Sequence, residues 1–246
     1  MTGRIFITGD KHGTFGPFFG LAERNQLQAA DILLITGDAG YVWDENYPVQ
    51  VGTLQQLFPG AIAFVDGNHE NHTLLNALPE ERWNGGRVHR VGERVFHLMR
   101  GELYDLYGSR VFTFGGARSV DVDRREDGFS WWKERGASWW PEEEPSAEEI
   151  AYGQRQLTEH LDEIDYVITH ETPLLARASI TRSKAIDPDY RLPALFDTWY
   201  ALLEGAPRFR QWYFGHMHVD QVITPKLRGL HNQILPLGGE ERVRWA

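Results

Sequence analysis

The sequence predicts an α/β fold with a mostly parallel sheet, and two features lead to that prediction. In the first third of the chain, short apolar runs alternate with segments that have the spacing of helices. Several of the apolar runs end in a turn that contains glycine, as strands of βαβ units do. No internal repeat or low-complexity linker interrupts the 246 residues, so we predict a single domain over residues 1–246.

The elements of the first third follow one another in a regular order. Three strands are predicted, each ending in a polar turn, over residues 4–10, 31–38 and 61–70. Helical spacing predicts three helices between and after them, over residues 18–28, 48–58 and 71–78.

The rest of the chain changes character. Four short strand-like runs predict a meander over residues 87–117 that forms a second sheet, and an irregular insertion rich in arginine and tryptophan follows at about 118–145. Ser146 and Glu149 form a capping-box pattern that predicts a helix to about residue 161. One more helix is predicted over residues 192–205, together with strands over residues 165–173, 211–223 and 232–239.

The composition excludes several kinds of site. The chain has no cysteine, so a metal would be held by His, Asp, Glu, Asn or water. A formal net charge of −10 disfavours a broad nucleic-acid surface. No apolar run has the ~20 residues of a membrane-spanning helix, and the N-terminus shows no signal-peptide pattern. We therefore expect a cytoplasmic protein without membrane contact, and the sequence does not specify its oligomeric state.

Polar residues of the metal-ligand type follow the predicted strands. These residues are Asp10, His12, Asp38, Asn68, His69, His170, His216 and His218. Each one alone has a structural explanation, such as a helix cap, a turn residue or a hydrogen-bonded histidine. Together they indicate a crevice at the carboxyl ends of the strands, where α/β sheets bind ligands. If the segment "GHMH" is a strand, both of its histidines point to one side.

The order D-x-H, G-D, G-N-H-E, H and G-H-x-H resembles that of the calcineurin-like metallophosphoesterases, over residues 10–218. The resemblance implies a two-sheet αββα sandwich with two metal ions, manganese, iron or zinc, at one edge. It implies that Asp38 bridges the two ions. One ion would be held by Asp10, His12 and His218, and the other by Asn68, His170 and His216.

The same resemblance implies hydrolysis of a small phosphate ester, either a monoester or a diester. A metal-bridging hydroxide would attack phosphorus, and His69 would protonate the leaving oxygen as a general acid. Protein Ser/Thr phosphatases carry an aspartate where this chain has Tyr41, which argues against that branch. The residue that orients His69 therefore stays open among Asp44, Asp66 and Glu70.

The insertion offers candidates for substrate binding. Arg118, Arg124 and Arg125 could hold phosphate through paired hydrogen bonds, or they could belong to a solvated loop paired with its own carboxylates, Asp121, Asp123 and Glu126. Four tryptophans, Trp131, Trp132, Trp139 and Trp140, could stack on a base or could pack the insertion onto the domain. The acidic run over residues 142–144 makes long nucleic acid an unfavourable partner.

Two other functions compete with a phosphoesterase for small substrates. A nuclease would use the same dimetal site but would need a basic track for its substrate. A catalytically inactive binding module would keep the fold alone, and the presence of every proposed ligand and of His69 speaks against it.

Overall fold

The computed structural model describes residues 3–25, 27–119, 139–180 and 189–239 of the chain. Two mixed β-sheets pack face to face, and helices cover the outer face of each sheet. The predicted αββα sandwich is therefore confirmed.

The first sheet has seven strands in the order β13-β1-β2-β3-β6-β5-β4. Their bounds are β1 Ile5–Thr8, β2 Ile32–Ile35, β3 Ala61–Phe64, β4 Glu80–Trp83, β5 Gly86–Arg90, β6 Val95–Leu98 and β13 Leu235–Pro236. Strands β1, β2, β3 and β6 run parallel, whereas β4, β5 and β13 pair antiparallel with their neighbours.

The second sheet has six strands in the order β11-β12-β10-β9-β8-β7. Their bounds are β7 Glu102–Leu106, β8 Ser109–Phe114, β9 Tyr166–Thr169, β10 Gln211–Phe214, β11 Gln221–Thr224 and β12 Leu227–Gly229. Strands β8, β9, β10 and β12 are parallel, and β7 and β11 are antiparallel edge strands.

The helices form the two outer layers. Their bounds are α1 Gly16–Asn25, α2 Tyr47–Leu57, α3 His72–Asn76, α4 Ala147–Glu159, α5 Leu174–Arg177 and α6 Leu192–Glu204, with a 3₁₀ turn at Pro141–Glu143. The capping box of Ser146 and Glu149 is present at the start of α4. Within the described ranges, no helix is long and apolar enough to cross a bilayer.

The core consists of three apolar clusters, one for each contact between layers. Side chains such as Ile7 and Leu34 from the first sheet meet Ile168 and Tyr213 from the second. Strand β2, with the sequence ILLI, is buried at every position because both of its faces are covered. Helices α1 to α3 cover one outer face, and α4 to α6 cover the other.

The prediction that residues 87–117 form a meander within the second sheet is wrong, because these strands are divided between the two sheets. Strands β5 and β6 join the first sheet, because β6 pairs parallel with β3 through Ile62 and Val95. The chain then crosses to the second sheet at Gly101, whose φ of 80° lies in the left-handed region, and β7 and β8 follow there. Strand periodicity does not specify which partner a strand pairs with, so the sequence could not place this crossing.

Candidate metal centre

The predicted ligand residues lie just beyond five parallel strands. Asp10 follows β1, Asp38 follows β2 and Asn68 follows β3, all from the first sheet. The second sheet contributes His170, directly after β9, and His216, two residues after β10. Because the carboxyl ends of parallel strands meet at one edge, the topology brings these side chains together.

The first group contains Asp10, His12, Asp38 and His218. One ligand atom from each residue lies within 4.8 Å of the others. Atom Nε2 of His12 is 3.1 Å from Nε2 of His218, and Nε2 of His218 is 3.8 Å from Oδ1 of Asp10. The ring of His12 also approaches Asp38, with 3.9 Å between Nε2 and Oδ2.

The second group surrounds the other oxygen of Asp38. Atom Nε2 of His170 is 3.4 Å from Oδ1 of Asp38 and 3.2 Å from Oδ1 of Asn68. The ring of His216 lies 5.1 Å from the ring of His170. Asp38 thus belongs to the first group and also faces the second, with Oδ2 toward His12 and Oδ1 toward His170.

The second nitrogen of His170 fixes the orientation of its ring. Nδ1 lies 2.8 Å from the carbonyl oxygen of Thr36. A carbonyl only accepts, so Nδ1 carries a proton, and Nε2 is the nitrogen that faces Asp38 and Asn68 and would offer its lone pair to a bound cation. This arrangement is common for histidines that bind metal ions.

The residues present fit a pair of cations. Oδ2 of Asp10 is buried and has no hydrogen-bond partner among the described residues, although burying an unpaired carboxylate oxygen is costly. The two Nε2 atoms of His12 and His218 face each other at 3.1 Å, and a shared cation would use both lone pairs. Carboxylate and imidazole ligands suit first-row divalent metals.

Burial and neighbouring charges shift the pKa values of several residues in the centre. Burial would lower the pKa of His170, but Asp38 outweighs burial and raises this pKa to about 10. In turn, burial would raise the pKa of Asp38, yet His170 and its neighbours hold it well below the usual range. Burial lowers the pKa of His216 to about 4, so this imidazole is neutral and can offer a lone pair.

His69 lies beside the first group. Its backbone N–H donates to Oδ1 of Asp38 at 2.7 Å, and its ring lies edge-on to the ring of His12 with 5.2 Å between centroids. The side chain is partly buried. His69 therefore stands next to the ligands at the open side of the centre.

The family profile for calcineurin-like phosphoesterases matches residues 3–220. The chain belongs to the calcineurin-like phosphoesterase family. Members are typically metal-dependent phosphoesterases that bind two metal ions, and the group of Asp10, His12, Asp38 and His218 is a candidate for such a site here. A search among curated proteins gave no match.

The histidines of the "GHMH" segment do not lie on a strand, so that prediction is wrong. Strand β10 ends at Phe214, and His216 and His218 have φ values of 60° and 51°. The rule that residues i and i+2 share a side holds only for extended backbone. The left-handed turns leave the side chain of His216 10% exposed and that of His218 52% exposed.

The three carboxylates considered for orienting His69 each have other partners in the structure. Asp66 binds Arg100 and His97, Glu70 accepts from the backbone N–H groups of residues 39 and 40, and Asp44 accepts from the backbone of residue 46. The hydrogen bonds of these three carboxylates do not identify which of them orients His69. Tyr41 is buried and donates to the carbonyl of residue 14, so it serves the core.

Of the three arginines proposed for substrate binding, only Arg118 lies within the described residues. Its guanidinium pairs with Glu144 at 2.6 Å and lies over the ring of Tyr190 at 4.7 Å. Arg124 and Arg125, and the carboxylates proposed as loop partners, lie outside the described residues. Arg118 thus has a structural role, and its binding of substrate stays a prediction.

The tryptophans of the insertion also lie partly inside and partly outside the described residues, and its acidic run is described. Trp140 is buried and packs edge-on against Trp43 at 5.4 Å, which is a packing role, and Trp139 is partly buried. Trp131 and Trp132 lie outside the described residues. In the acidic run over residues 142–144, Glu143 is buried and Glu144 pairs with Arg118, and the expectation that this run disfavours long nucleic acid stays a prediction.

Three residues near the centre were missed by the sequence reasoning. Glu171 is fully buried, pairs with Arg177 at 2.7 Å and lies 3.8 Å from Nε2 of His216. Lys11 is buried and donates to the carbonyl of His231 at 2.7 Å, and burial lowers its pKa to about 8. Lys11 and Glu171 lie inside the motifs, where a charged residue at a strand end is a usable signal.

The third missed residue, His231, has no such signal. Its ring stacks on that of His218, with 4.7 Å between centroids and 22° between planes. His231 follows β12, outside the histidine motif and separated from it by β11 and β12, so only the folded structure reveals the contact.

Proposed function

We propose that this chain hydrolyses a small phosphate ester at a centre of two divalent metal ions, manganese, iron or zinc. The observation that carries the proposal is the convergence of four ligand atoms, from residues 10, 12, 38 and 218, within 4.8 Å of one another. These residues come from both sheets, and such convergence is not needed for packing.

The proposed ligands divide as the two groups do. Asp10, His12 and His218 would hold one ion, and Asn68, His170 and His216 the other, with Asp38 between them. When bound, the ions stabilise negative charge on the phosphate and lower the pKa of water at the site. The protein's part is to fix these ligands and to keep the phosphate in place.

His69 is proposed as the general acid. Its position next to His12 and its backbone hydrogen bond to Asp38 fix where the ring can reach. An imidazolium there can give a proton to the leaving oxygen as the ester bond breaks. This role does not require His69 to hold a metal ion.

The net charge of −10 favours a small substrate over a long nucleic acid, because phosphate-backbone binding relies on many basic contacts. Arg118, Arg124 and Arg125 are kept as proposed substrate contacts, and a cytoplasmic location is kept as part of the proposal. Turnover of p-nitrophenyl phosphate beside its bis-ester would show whether the substrate is a monoester or a diester.

The variant His69→Ala tests the proposal. We expect it to keep its metal content and to lose activity, since general acid catalysis contributes about 10²–10⁴-fold. The loss in kcat/KM should be large for an alkyl phosphate ester, whose alkoxide is a poor leaving group. It should be smaller for p-nitrophenyl phosphate, whose phenolate leaves without a proton.

The matched control is His160→Ala, at the C-terminal end of α4 and away from the centre, which should retain wild-type rates. Equal loss on both substrates in a fully metallated His69→Ala protein would refute the role of general acid. A wild-type protein that binds no manganese and hydrolyses neither ester would refute the function as a whole.

A further inference from the structure

The amide of Asn68 is held from the side opposite His170 by two buried residues. Nδ2 of Asn68 donates to Oγ of Ser119 at 3.1 Å, and Oγ of Ser119 donates to Oε2 of Glu143 at 2.7 Å. The backbone N–H of Ser119 donates to the other oxygen of Glu143. Asn68, Ser119 and Glu143 are 3%, 4% and 1% exposed.

The direction of this chain of hydrogen bonds follows from the chemistry of its last member. A carboxylate only accepts hydrogen bonds, and Glu143 receives one from each donor of Ser119. The hydroxyl proton of Ser119 is thereby used, so Oγ can only accept from Asn68. Asn68 must then turn its NH₂ toward Ser119 and its oxygen toward His170.

The amide orientation matters because its two ends differ as ligands. The carbonyl oxygen of an asparagine can bind a cation, whereas the NH₂ group has no lone pair to offer. In the observed orientation, Oδ1 lies 3.2 Å from Nε2 of His170, on the side of the second ligand group. A flipped amide would present hydrogens there instead.

We propose that Glu143 and Ser119 are positioning residues that fix the amide of Asn68 with its oxygen toward the metal centre. This inference rests on the proposed function, because it assigns Asn68 to a metal ion. Ser119 and Glu143 stand 24 residues apart in the chain, on either side of the central part of the insertion. The proposal therefore gives the ends of the insertion a role in metal binding.

The backbone that carries the Glu143 carboxylate is itself well anchored. Its carbonyl oxygen accepts from the backbone N–H of Ala117 at 3.1 Å and from Nη2 of Arg100 at 3.3 Å. Its own N–H donates to the carbonyl of Trp140 within the 3₁₀ turn. Since the backbone is fixed at both groups, the side chain has little freedom to follow a change in Asn68.

The variant Glu143→Gln lets the hydrogen bonds between residues 143, 119 and 68 reverse their direction while the side chain at position 143 keeps its size and shape. The Gln oxygen would accept from the N–H of Ser119, and its NH₂ would donate to Oγ. The hydroxyl of Ser119 is then free to donate to a flipped Asn68. Ser119→Ala removes the acceptor of Asn68 altogether, and it tests the same idea should Glu143→Gln fail to fold.

The first experiment is calorimetric titration of the metal-free protein with Mn²⁺. We expect Glu143→Gln and Ser119→Ala each to lower the affinity for one of the two ions by about 10–100-fold. This is the usual effect of losing a residue that hydrogen-bonds to a metal ligand. Glu142→Gln, an exposed neighbour with the same change of charge, should bind both ions like the wild type. Thermal unfolding in EDTA checks that each variant is folded.

The second experiment repeats the substitution in an Asn68→Asp protein. Both oxygens of an aspartate accept, so with Glu143 present two carboxylates compete for one hydroxyl proton. Changing Glu143 to Gln in this background lets Ser119 donate to the introduced carboxylate and satisfies every group. Glu143→Gln should therefore strengthen Mn²⁺ binding in the Asn68→Asp protein, the opposite of its effect on the wild type.

A general loss of packing would weaken binding in both backgrounds, so weakening in both would overturn the proposal. Wild-type affinity for both ions in folded Glu143→Gln and Ser119→Ala would also overturn it, while the proposed function would stand. No Mn²⁺ uptake by the wild-type protein would instead refute the proposed function, and this inference with it.

Discussion

Four of the proposed metal ligands have a backbone conformation that residues other than glycine rarely adopt. His12, Asp38, His216 and His218 have φ values of 48°, 47°, 60° and 51°. The left-handed region costs an L-residue about 1–2 kcal/mol. Such strain persists only where the surroundings fix it, and it concentrates at functional sites.

The surroundings that hold this strain are visible at Asp38. Its carbonyl oxygen accepts from the N–H groups of Lys11 and His12 at 2.9 and 2.8 Å, so the turns after β1 and β2 fix each other. Gly67 lies against the same residue, and a Cβ there would be 2.1 Å from Oδ1 of Asp38. The glycines of the motifs thus allow the backbone to approach the ligands.

At His218, two substitutions separate the effect of backbone strain on stability from the effect of losing the imidazole. His218→Gly and His218→Ala remove the same imidazole, but only glycine accepts a φ of 51° without penalty. We expect the glycine variant to be more stable by about 1 kcal/mol. Urea unfolding in EDTA measures the difference.

The control for this comparison is Ala151→Gly, at an exposed position within α4. There the helical backbone favours alanine, so glycine should destabilise by about 1 kcal/mol. If His218→Gly is no more stable than His218→Ala while Ala151→Gly behaves as expected, the turn at His218 is not strained in solution.

The proposed ligand residues could be selected from the sequence because they follow the predicted strands in the order of the family motif. The conformation of the turns could not be read in the same way. The spacing of His216 and His218 would suit a strand, and only the end of β10 at Phe214 shows that they lie in a loop. Ser119 and Glu143 carry no motif, so only the folded structure reveals that Ser119 contacts Asn68 and that Glu143 contacts Ser119.

At the scale of elements, the sequence predicts where each strand lies better than it predicts which strands pair with it. The run at Val95–Leu98 has a strand pattern, but its pairing with β3 follows from the register of Ile62 with Val95. A crossover of this kind leaves no periodic signal. By contrast, the start of α4 was predictable because its capping box is made of local contacts between Ser146 and Glu149.

Arg100 joins several elements at the back of the metal centre. It follows β6 and donates to Asp66 through Nε and Nη2 at 3.0 and 2.5 Å. It also donates to Glu149 on α4 and to the carbonyl of Glu142 within the 3₁₀ turn. The guanidinium is 7% exposed and lines a cavity of about 370 Å³. One side chain thus connects the turn after β3 with α4.

Replacing Arg100 with methionine should therefore be costly. The change keeps most of the stem but leaves Asp66 buried without its main cation, and burying an unpaired charge typically costs about 3–5 kcal/mol. We expect a loss of this size in the free energy of unfolding. Urea unfolding in EDTA measures it without any contribution from metal binding.

Arg82→Met provides the comparison, because Arg82 is an exposed arginine on β4 that donates to the carbonyl of Gly85. Its effect should lie within about 0.5 kcal/mol, as for most surface changes. Equal stability of Arg100→Met and the wild type would show that Asp66 finds other partners, and the connecting role of Arg100 would be abandoned.

At the scale of the whole molecule, the proposed centre joins the two sheets at one edge. Residues 10, 38 and 68 follow strands of the first sheet, whereas residues 170, 216 and 218 follow strands of the second. Between the sheets the contact is apolar, but at this edge it consists of carboxylates and imidazoles. A cation bound there would hold both sheets, since each sheet supplies ligands to it.

Metal binding should accordingly stabilise the entire fold. An ion that binds only the folded chain adds about 2.7 kcal/mol at a free concentration 100 times its Kd. For a chain of this size, each kcal/mol raises Tm by about 2–4 °C. We expect Mn²⁺ to raise the Tm of the EDTA-treated protein by at least about 5 °C for each ion bound, as followed by scanning calorimetry.

Two variants show whether the shift comes from the proposed centre. Asp38→Ala removes the carboxylate that lies between both ligand groups, 3.9 Å from His12 and 3.4 Å from His170, and should lose most of the response to Mn²⁺. His160→Ala, outside the centre, should respond like the wild type. If Asp38→Ala shows the full shift, the ions bind elsewhere. If the wild type shows no shift at saturating Mn²⁺, the two sheets are not joined through metal ions at this edge.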